Sequence, residues 1–535
     1  MKLSHAGIKR KEEWEAKGIQ LPPYDPYELS KQTRKAPVWV HFGIGNIFRI
    51  FIGGIADTLI RSGKMDRGII CAESFDIDII DKIYRPYDNL VLSVTLHEDG
   101  RIDKRVLGSL AEAIKVYSYD PRKWDRMKEI FTDPGLQMVS FTITEKGYAL
   151  RTPEGEYFPF VKKDLEEGPD KVSGVMGIVT AMLLERYKAG GAPLALVSMD
   201  NVSQNGDKLK SSVYEVAEAW VQKGFADGGF LSYVEDDKRV SFPWTMIDKI
   251  TPRPSDRVYA LLTEDGVEEM HPVITSRSTY IAPYANAEGP QYLVIEDSFP
   301  NGRPPFEDAG VYMTDRETVN KSERMKVTAC LNPIHTALCS YDALLGYELF
   351  ADGMKDPELD KLARLVGYKE GLPVAPDPKI LSPTKFLDEL MAVRFPNPYL
   401  GDTTGRICTD MSQMVGIRFG ETVKAYMEKD GTAAGLTGIP LAIAGWIRYL
   451  LGVTDEGEPI ELSPDPMIPY LKEQIAGLKY GHPESLQGQL KLLLSNKNIF
   501  GVDYYEAGLG EKIEEMLREE LAGPGAVRAV LRKYL

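Results

Sequence analysis

The sequence predicts an α/β domain of the doubly wound, Rossmann-like kind, followed by a domain made mostly of helices. Three observations lead to this prediction. A buried strand near residue 40 runs into a glycine turn and a helix, further apolar strands follow until about residue 300, and the rest of the chain shows only helical periodicity. We place the boundary near residue 316, with a nucleotide-binding domain and its N-terminal arm over residues 1–316 and a helical substrate domain over residues 317–535.

Composition limits the classes of partner. The chain has 535 residues, 43% of them apolar, and a net charge of −15, which argues against duplex DNA, RNA or an anionic membrane. Its four cysteines form no pairing pattern and its six histidines have no metal-ligand spacing. The amino end is charged, and no eighteen apolar residues run together. We therefore expect a cytoplasmic protein, a monomer or small homo-oligomer, with a small-molecule substrate and no metal.

The first 35 residues are polar and rich in proline, which predicts an arm on the surface. The segment VWVHFGIG then predicts a buried strand that ends in a glycine turn before a helix. Gly43 and Gly45 match the first two glycines of a dinucleotide fingerprint, while Phe48 stands at the third. With Asn46 they form a candidate cofactor-binding turn; the alternative is a strand-helix turn that binds nothing.

The next strand, in RGIICAESFD, ends in an acidic residue about thirty positions after Gly43. A carboxylate there can accept hydrogen bonds from the ribose hydroxyls and repels the extra phosphate of NADP. Glu73 is the candidate, with Asp76 as the substitute if the strand is longer. The predicted cofactor is therefore NAD.

Two more apolar strands end in polar residues, where ligands bind in doubly wound sheets. LQMVSFTITEKGYAL ends in a predicted loop that places Glu145 and Lys146 at the cofactor cleft, unless it is only a turn using Gly147 for positive φ. APLALVSMDN ends at Asn201. Further on, IEDSFPNGRPPF suits a domain junction, where Arg303 lies near the cleft or forms a structural salt bridge.

The stretch ERMKVTACLNPIH begins the helical half. The apolar spacing after Asn332 predicts a helix, with Asn332 as its N-cap and Pro333 at its first position. His335 then lies one turn inside, and Lys326 approaches on the lead-in segment, so a potential base is grouped with two hydrogen-bond donors. The alternatives are a plain cap, a structural histidine and a surface pair of Glu323 with Lys326.

These segments resemble those of the mannitol dehydrogenase family, the long-chain polyol and hexuronate dehydrogenases. In that family the lysine is a general base, two asparagines and a histidine hold the substrate oxygen, and a glutamate relays the proton. Carried onto this chain, Lys326 is the base, Asn201, Asn332 and His335 hold the oxygen, and Glu323 is the relay. Five residues separate Lys326 from Asn332, where the family pattern has four. An irregular lead-in would absorb the extra residue, whereas inside an α-helix it would rotate Lys326 by about 100°.

The resemblance extends to both halves of the chain. It adds Arg49 to the cofactor side, because HFGIG followed by an arginine is typical of the family, as is TEKGY. It places Asp248 and Lys249, in FPWTMIDKITPRPSD, on the substrate side. VRFPNPYLGDTTGRI resembles the RFxNP motif and gives Arg394 and Arg406, with Asn397 between them, as residues facing the substrate; the alternative is an arginine at a helix end. A guanidinium there would suit a carboxylate.

The resemblance implies an active site between the two domains and metal-independent hydride transfer between a secondary alcohol and NAD. It favours D-fructuronate and D-mannonate over fructose and mannitol. Tagaturonate reductase and mannitol or polyol 2-dehydrogenase are the alternatives within the family. Outside it stand a lyase that forms a Schiff base through Lys326 and a non-catalytic NAD-binding sensor.

Overall fold

The computed structural model describes every residue from Met1 to Leu535. The chain divides into two compact units, the N-terminal unit Met1–Asn320 and the C-terminal unit Lys321–Leu535. This division lies close to the predicted boundary at residue 316. All strands belong to the N-terminal unit: β1 (Ile19–Gln20), β2 (Trp39–Phe42), β3 (Ile69–Glu73), β4 (Val91–Leu96), β5 (Ile102–Leu107), β6 (Leu110–Lys115), β7 (Met138–Phe141), β8 (Leu194–Ser198), β9 (Val240–Ser241), β10 (Thr245–Asp248), β11 (Val273–Ile274), β12 (Tyr280–Ile281), β13 (Tyr284–Glu288), β14 (Tyr292–Glu296) and β15 (Tyr312–Thr314).

Helices occur in both units. The α-helices up to the boundary are α1 (Lys11–Glu15), α2 (Pro26–Lys35), α3 (Gly53–Arg61), α4 (Pro121–Thr132), α5 (Thr144–Tyr148), α6 (Pro159–Glu167), α7 (Val175–Lys188), α8 (Asn205–Gln222), α9 (Gly228–Glu235), α10 (Asp256–Glu264) and α11 (Arg316–Arg324). Those after it are α12 (Asn332–Leu344), α13 (Phe350–Gly353), α14 (Pro357–Arg364), α15 (Pro383–Glu389), α16 (Thr404–Ile407), α17 (Met411–Val415), α18 (Glu421–Asp430), α19 (Gly438–Tyr449), α20 (Ile468–Gln474), α21 (Lys491–Leu494), α22 (Lys497–Phe500), α23 (Gly510–Glu520) and α24 (Ala526–Tyr534).

Two other kinds of helix interrupt or extend these. The π-helical segments are Phe48–Ile52, Ile80–Tyr84, Met325–Cys330, Leu365–Gly371, Leu390–Arg394 and Gly416–Gly420. The short 3₁₀ turns are Gly7–Lys9, Arg85–Tyr87, Pro169–Lys171, Phe306–Ala309, Leu372–Val374, Pro398–Leu400 and Pro483–Ser485.

The main sheet has six strands in the order β6-β3-β2-β7-β8-β9, and every neighbouring pair is parallel. Numbered along the chain, this is the order 3-2-1-4-5-6 of a Rossmann fold. Alternate side chains of β2 enter different cores, since Val40 and Phe42 pack in the layer with α4 and α7 while Trp39 packs in the layer with α3. Both faces of the sheet are therefore covered, as the doubly wound prediction requires.

The N-terminal arm is more deeply packed than the sequence predicts. Trp14 is fully buried, and its indole N–H donates to the carbonyl oxygen of Gly7 at 3.1 Å. Ile19 is also buried, on β1, which pairs in parallel with β5. The arm contributes β1 to the four-stranded sheet β1-β5-β4-β13, while most of its other residues are exposed on the surface, as predicted. Its proline-rich, polar composition concealed the few large apolar residues that anchor it.

The C-terminal unit is helical throughout, as predicted. Every residue of α19 is buried, so this helix lies in the core of the unit. α12 packs closely on α19, because a Cβ at Gly445 would lie 2.4 Å from Cζ of Tyr341. No helix in the chain combines the length and apolarity that a membrane span needs. All four cysteines are free and buried.

Candidate active site

The glycine turn after β2 has the geometry of a nucleotide-binding turn. Gly43 has φ of +88°, and a Cβ there would lie 2.1 Å from the carbonyl oxygen of Thr142, so only glycine fits. Gly45 has no such packing reason, since a Cβ would meet only open space. The chain becomes helical at Asn46. An unfilled space in front of a helix start is the arrangement that accepts a pyrophosphate.

Phe48 replaces the third glycine of the fingerprint. It opens the π-helical segment Phe48–Ile52, and its ring stacks on His41 at 4.0 Å between centroids. His41 is fully buried between the hydroxyls of Ser140 and Thr142, and burial lowers its pKa to about 3. The imidazole is therefore neutral and structural. The fingerprint has glycine at this position because the helix packs closely on the strand. Here the widened turn accommodates the Phe48 ring, which stacks on His41.

Arg49 holds two parts of the N-terminal unit together. Its guanidinium is fully buried and donates to the carbonyl oxygens of Ala282 at 2.7 Å and Tyr284 at 3.3 Å. It also donates to Oδ1 of Asn46 at 2.6 Å. This placement does not support the expected contact of Arg49 with the cofactor, because its charge faces protein oxygens. Asn46, at the helix start, is fixed by the same arginine.

β3 ends at Glu73, so Glu73 rather than Asp76 stands at the strand end. The Glu73 carboxylate accepts the backbone N–H of Ile44 at 3.2 Å, and that of Phe75 at 2.8 Å. Burial raises the pKa of Glu73 against the effect of these hydrogen bonds. Asp76 instead accepts the hydroxyl of Thr275 at 2.7 Å. Glu73 thus ties the glycine turn to the loop that follows β3.

The TEKGY segment is a short helix, α5, and not the predicted loop. The positive φ expected at Gly147 occurs at Thr144, with φ of 65°, so the glycine-turn alternative is wrong. Asp200 causes this geometry, because it accepts the backbone N–H of Thr144 at 2.9 Å and the hydroxyl of Tyr148 at 2.6 Å. Lys146 is exposed.

Other predicted residues of the N-terminal unit lie near strand ends. Glu145 is exposed and forms an ion pair with Lys208. Asn201 is exposed after β8. Asp248 is buried at the end of β10, and the Lys249 ammonium donates to the carbonyl oxygen of Glu288 at 2.7 Å.

Arg303 does not contribute a free charge to a cleft. It pairs with Asp297 and Glu307, each at 2.7 Å. This confirms the salt-bridge alternative.

The candidate catalytic stretch, residues 323–335, is helical except for a bend at Leu331. α11 runs into the π-helical segment Met325–Cys330, and the N–H of Leu331 donates to the carbonyl oxygen of Lys326 at 3.0 Å, five residues earlier. α12 then begins at Asn332 with Leu331 at its N-cap, and Oδ1 of Asn332 has no hydrogen-bond partner. The prediction of Asn332 as an N-cap is therefore wrong. Pro333 has no backbone N–H to donate to a carbonyl oxygen of the preceding helical turn. The π turn before it accommodates this missing hydrogen bond.

The π turn explains the additional residue between Lys326 and Asn332. A π turn is an α-helical turn widened by one inserted residue, and this one runs from Lys326 to Leu331. The insertion is thus absorbed locally, without the rotation of about 100° that an α-helix would impose. Lys326 is 2% exposed, so it does not belong to a surface pair. Glu323 lies one helical turn earlier.

Asn332 and His335 share a face at the start of α12, being three residues apart. The Asn332 Oδ1 atom is buried without a hydrogen-bond partner, an arrangement that a bound hydroxyl would satisfy. The His335 ring lies against Phe350 at 4.6 Å and Phe395 at 5.0 Å between centroids. These two rings fix the plane of the imidazole.

Asp402 is a site residue that sequence reasoning missed. Its Oδ2 atom lies 4.0 Å from Nε2 of His335, and its carboxylate forms an ion pair with Arg406. The available signal was the four-residue spacing of Asp402 and Arg406 within the RFPNP segment. The structure thereby brings Arg406 and His335 to one carboxylate.

Arg394 is buried at the end of the π-helical segment Leu390–Arg394. It lines a crevice of about 10 Å³, roughly one water site, together with Asp402 and Phe350. Asn397 is buried beside it and accepts the N–H of Tyr399 at 3.0 Å, so its side chain caps the short turn that follows. The RFPNP motif and the histidine of α12 therefore meet in one cluster.

Comparison with known families identifies this arrangement. Residues 37–305 match the model described as the mannitol dehydrogenase Rossmann domain. Residues 318–519 match the model described as the mannitol dehydrogenase C-terminal domain. The chain belongs to the mannitol dehydrogenase family. The predicted resemblance, the fold class and the assignment as an oxidoreductase are confirmed.

Several relatives within the mannitol dehydrogenase family cover nearly the whole chain. The D-mannonate oxidoreductase of Thermotoga maritima is 50% identical over 538 residues, covering 100% of this chain and 99% of that protein. The mannitol 2-dehydrogenase of Pyrenophora tritici-repentis is 28% identical over 506 residues, covering 92% and 81%.

Solved structures of the mannitol dehydrogenase fold agree. Substrate-free D-sorbitol dehydrogenase has a TM-score of 0.79 at 25% identity, with 96% of this chain and 97% of that chain covered. The Pseudomonas fluorescens mannitol 2-dehydrogenase, solved with NAD and D-mannitol, has a TM-score of 0.71 at 24% identity, with 100% and 99% covered. The latter likeness supports the fold alone. No three His, Cys, Asp or Glu side chains group as metal ligands would.

Proposed function

We propose that this protein is an NAD-dependent oxidoreductase that interconverts D-fructuronate and D-mannonate. The observation that carries the proposal is the 50% identity, over the full length of both chains, to a D-mannonate oxidoreductase. Relatives named as mannitol dehydrogenases are only 28–29% identical. A hexuronate pair is therefore favoured over a polyol pair.

The N-terminal unit fits NAD. The open space at Gly45 suits the pyrophosphate, and Glu73 at the end of β3 suits the ribose hydroxyls. A carboxylate at that position repels a 2′-phosphate, so NAD is preferred over NADP. When bound there, NAD would supply the acceptor for the hydride of the alcohol carbon, and NADH the donor for the reverse reaction.

The residues of the C-terminal unit supply the proton chemistry in this proposal. Lys326 takes the hydroxyl proton of the aldonate during oxidation and gives it back during reduction. Glu323, one turn earlier, relays that proton. Asn332 and His335, with Asn201, hold the oxygen on which negative charge develops. The burial of Lys326 keeps bulk water from the amine, which supports its assignment as the base.

The carboxylate of a hexuronate needs a cation, since the chain as a whole is acidic. Arg394 is the candidate, because it is buried beside the ring cluster of His335 and presents a planar fork that matches a carboxylate. Arg406 is the weaker candidate, because its side chain is 66% exposed. Asp248 and Lys249 are placed on the substrate side because their segment resembles the corresponding segment of the family.

Identification of the product tests the proposal. We would incubate the purified protein and NADH with D-fructuronate or with D-tagaturonate and identify the aldonate by chromatography against authentic standards. We expect D-mannonate from D-fructuronate, at a higher rate than any product from D-tagaturonate. A faster reaction with D-tagaturonate would reassign the protein as the epimeric reductase, and no turnover with either would exclude a hexuronate substrate.

A further inference from the structure

Phe75 is an exposed aromatic residue that the fold does not explain. Its side chain is 68% exposed, although it lies two residues after the end of β3. This position is at the carboxyl edge of the parallel sheet, where doubly wound folds bind nucleotides. A large ring exposed at such an edge suggests a surface for a ligand.

The loop that carries Phe75 is firmly held. The backbone N–H of Phe75 donates to Oε1 of Glu73 at 2.8 Å. Two bonds then fasten the loop to the β11–β12 hairpin: the Thr275 hydroxyl donates to Asp76 at 2.7 Å, and the Ser276 N–H donates to Asp78 at 3.0 Å. The ring is therefore presented from an ordered loop at little entropic cost of binding.

An arginine of the same hairpin packs against one face of the Phe75 ring. The guanidinium carbon of Arg277 lies 4.8 Å from the ring centroid of Phe75, a cation–π contact. The guanidinium covers one face only, because 68% of the residue stays exposed. The opposite face is open to a flat ligand.

We propose that the adenine ring of NAD stacks on the exposed face of Phe75 and that Arg277 is a positioning residue that holds the platform. This inference rests on the proposed function, since it assumes that NAD is the cofactor. Glu73, assigned to the ribose, is two residues away, so sugar and base would contact adjacent residues of one loop. Aromatic rings bind bases in this manner whatever the sequence of the base, because every base has a flat π face.

Binding of AMP and NADH to the full-length protein, measured by titration calorimetry, tests the inference. AMP carries the adenosine half of NAD without the nicotinamide half. We expect Phe75→Ala to weaken both ligands by about 5- to 150-fold, the range for losing one base stack. Phe75→Tyr should restore affinity to within about threefold of the wild type, because it keeps the ring. Binding of nicotinamide mononucleotide should be unchanged in both variants.

Tyr27 offers a matched control. It is 51% exposed, and Lys31 Nζ lies 4.4 Å above its ring, yet it belongs to α2, which leads into the amino end of β2. Tyr27→Ala should leave AMP affinity unchanged. If Phe75→Ala binds AMP and NADH as the wild type does, the inference is overturned while the proposed cofactor stands.

Two other outcomes would also overturn the inference. If adenosine 2′,5′-bisphosphate binds more tightly than AMP and Arg277→Ala removes the difference, Arg277 is a phosphate-binding residue and the loop recognises NADP. If the wild type binds neither NADH nor AMP, the inference and the proposed cofactor fail together. Thermal unfolding of each variant establishes that it is folded.

Discussion

Lys326 is a buried amine whose position depends on one hydrogen bond of unusual span. The Leu331 N–H reaches back five residues to its carbonyl oxygen, so the backbone at Lys326 is part of a widened turn. Thr422 supports the same turn, because its hydroxyl donates to the carbonyl oxygen of Thr328 at 2.9 Å. Such a turn fixes the direction in which the lysine leaves the helix.

Lys326→Ala should lower kcat/KM by at least about a hundredfold, the usual size of a general-base contribution. NADH affinity should be unchanged, because the glycine turn and Glu73 belong to the N-terminal unit. We would measure initial rates together with NADH fluorescence titration. Arg324→Ala, at a 53% exposed side chain of the same helix, is the control and should retain activity within about twofold. Activity that survives in Lys326→Ala, or that EDTA abolishes in the wild type, would contradict the assignment.

Asp402→Asn should lower kcat by about 10- to 100-fold, the range for a hydrogen bond to a charged group. The 4.0 Å separation of Asp402 from His335 is long, and such contacts tighten when substrate binds. NADH affinity should not change. Arg406→Ala removes the ion pair with Asp402 but keeps the Asp402 carboxylate near His335. This variant therefore distinguishes the effect of the ion pair from that of the contact with His335. Wild-type kcat in Asp402→Asn would show that Asp402 does not orient His335.

α12 is the element that presents Asn332 and His335, and its opposite side is anchored in the core. The Tyr341 hydroxyl lies 2.7 Å from the carbonyl oxygen of Leu441 and 2.6 Å from Oε1 of Glu520. A hydroxyl has a single proton, so both contacts are satisfied when Glu520 is protonated and donates to the tyrosine oxygen. Burial raises the pKa of Glu520 to about 8, which agrees with that state.

Glu520→Gln should make stability less dependent on pH. Folded Glu520 keeps its proton up to a pH of about 8, whereas an exposed glutamate loses it near pH ~4.3. Between these values the folded state binds more protons, so rising pH lowers the free energy of unfolding by up to about 1.4 kcal/mol per pH unit. The stabilisation is complete below pH ~4.3 and is lost as pH rises through about 8.

We would record thermal unfolding from pH 5 to pH 9. The wild-type Tm should fall more steeply with pH than the Tm of Glu520→Gln. The control is Glu519→Gln, also in α23, which removes the carboxylate that pairs with Lys533 of α24 and should keep a slope near that of the wild type. Equal slopes for all three proteins would show that Glu520 is ionised in the folded chain.

Elements of the sheet could be predicted from the sequence because strand and turn leave local signals. β2 and β3 are apolar runs ended by glycine and by an acid, and this pattern predicts Glu73 at the strand end, where the structure has it. The start of α12 was misplaced because Asn-Pro is also the signature of a capped helix. A π turn has no comparable sequence signature, because the one extra residue looks like a short interruption of the helical apolar spacing.

Three of the six π-helical segments carry residues predicted for the site. Arg49 lies in Phe48–Ile52, Lys326 in Met325–Cys330 and Arg394 in Leu390–Arg394. Widened turns cluster at functional sites in proteins generally. The residues themselves were found through motifs, whereas their backbone geometry, and the role of Asp402, needed the fold. Arg49 was also found through a motif, and only the fold shows that its guanidinium is buried against the carbonyl oxygens of Ala282 and Tyr284.

The whole molecule is acidic, with a net charge of −15, although both proposed ligands are anions. Long-range attraction therefore does not favour binding, and selectivity for a sugar acid must come from individual cations in the site. Arg394 is the buried cation of the RFPNP cluster. Its removal should affect a substrate with a carboxylate more than one without it.

The central claim is that the substrate is a sugar acid, and a comparison of D-fructuronate with D-fructose tests it most directly. The two ketoses differ only in whether C6 is a carboxylate or a hydroxymethyl group. We would measure kcat/KM for both with NADH, in the wild type and in Arg394→Ala. We predict that the wild type prefers D-fructuronate by at least about tenfold, and that Arg394→Ala loses most of this preference, since a hydrogen bond to a charged group contributes about 1.5–3 kcal/mol. Faster reduction of D-fructose by the wild type, or an equal loss of both activities in Arg394→Ala, would contradict the account.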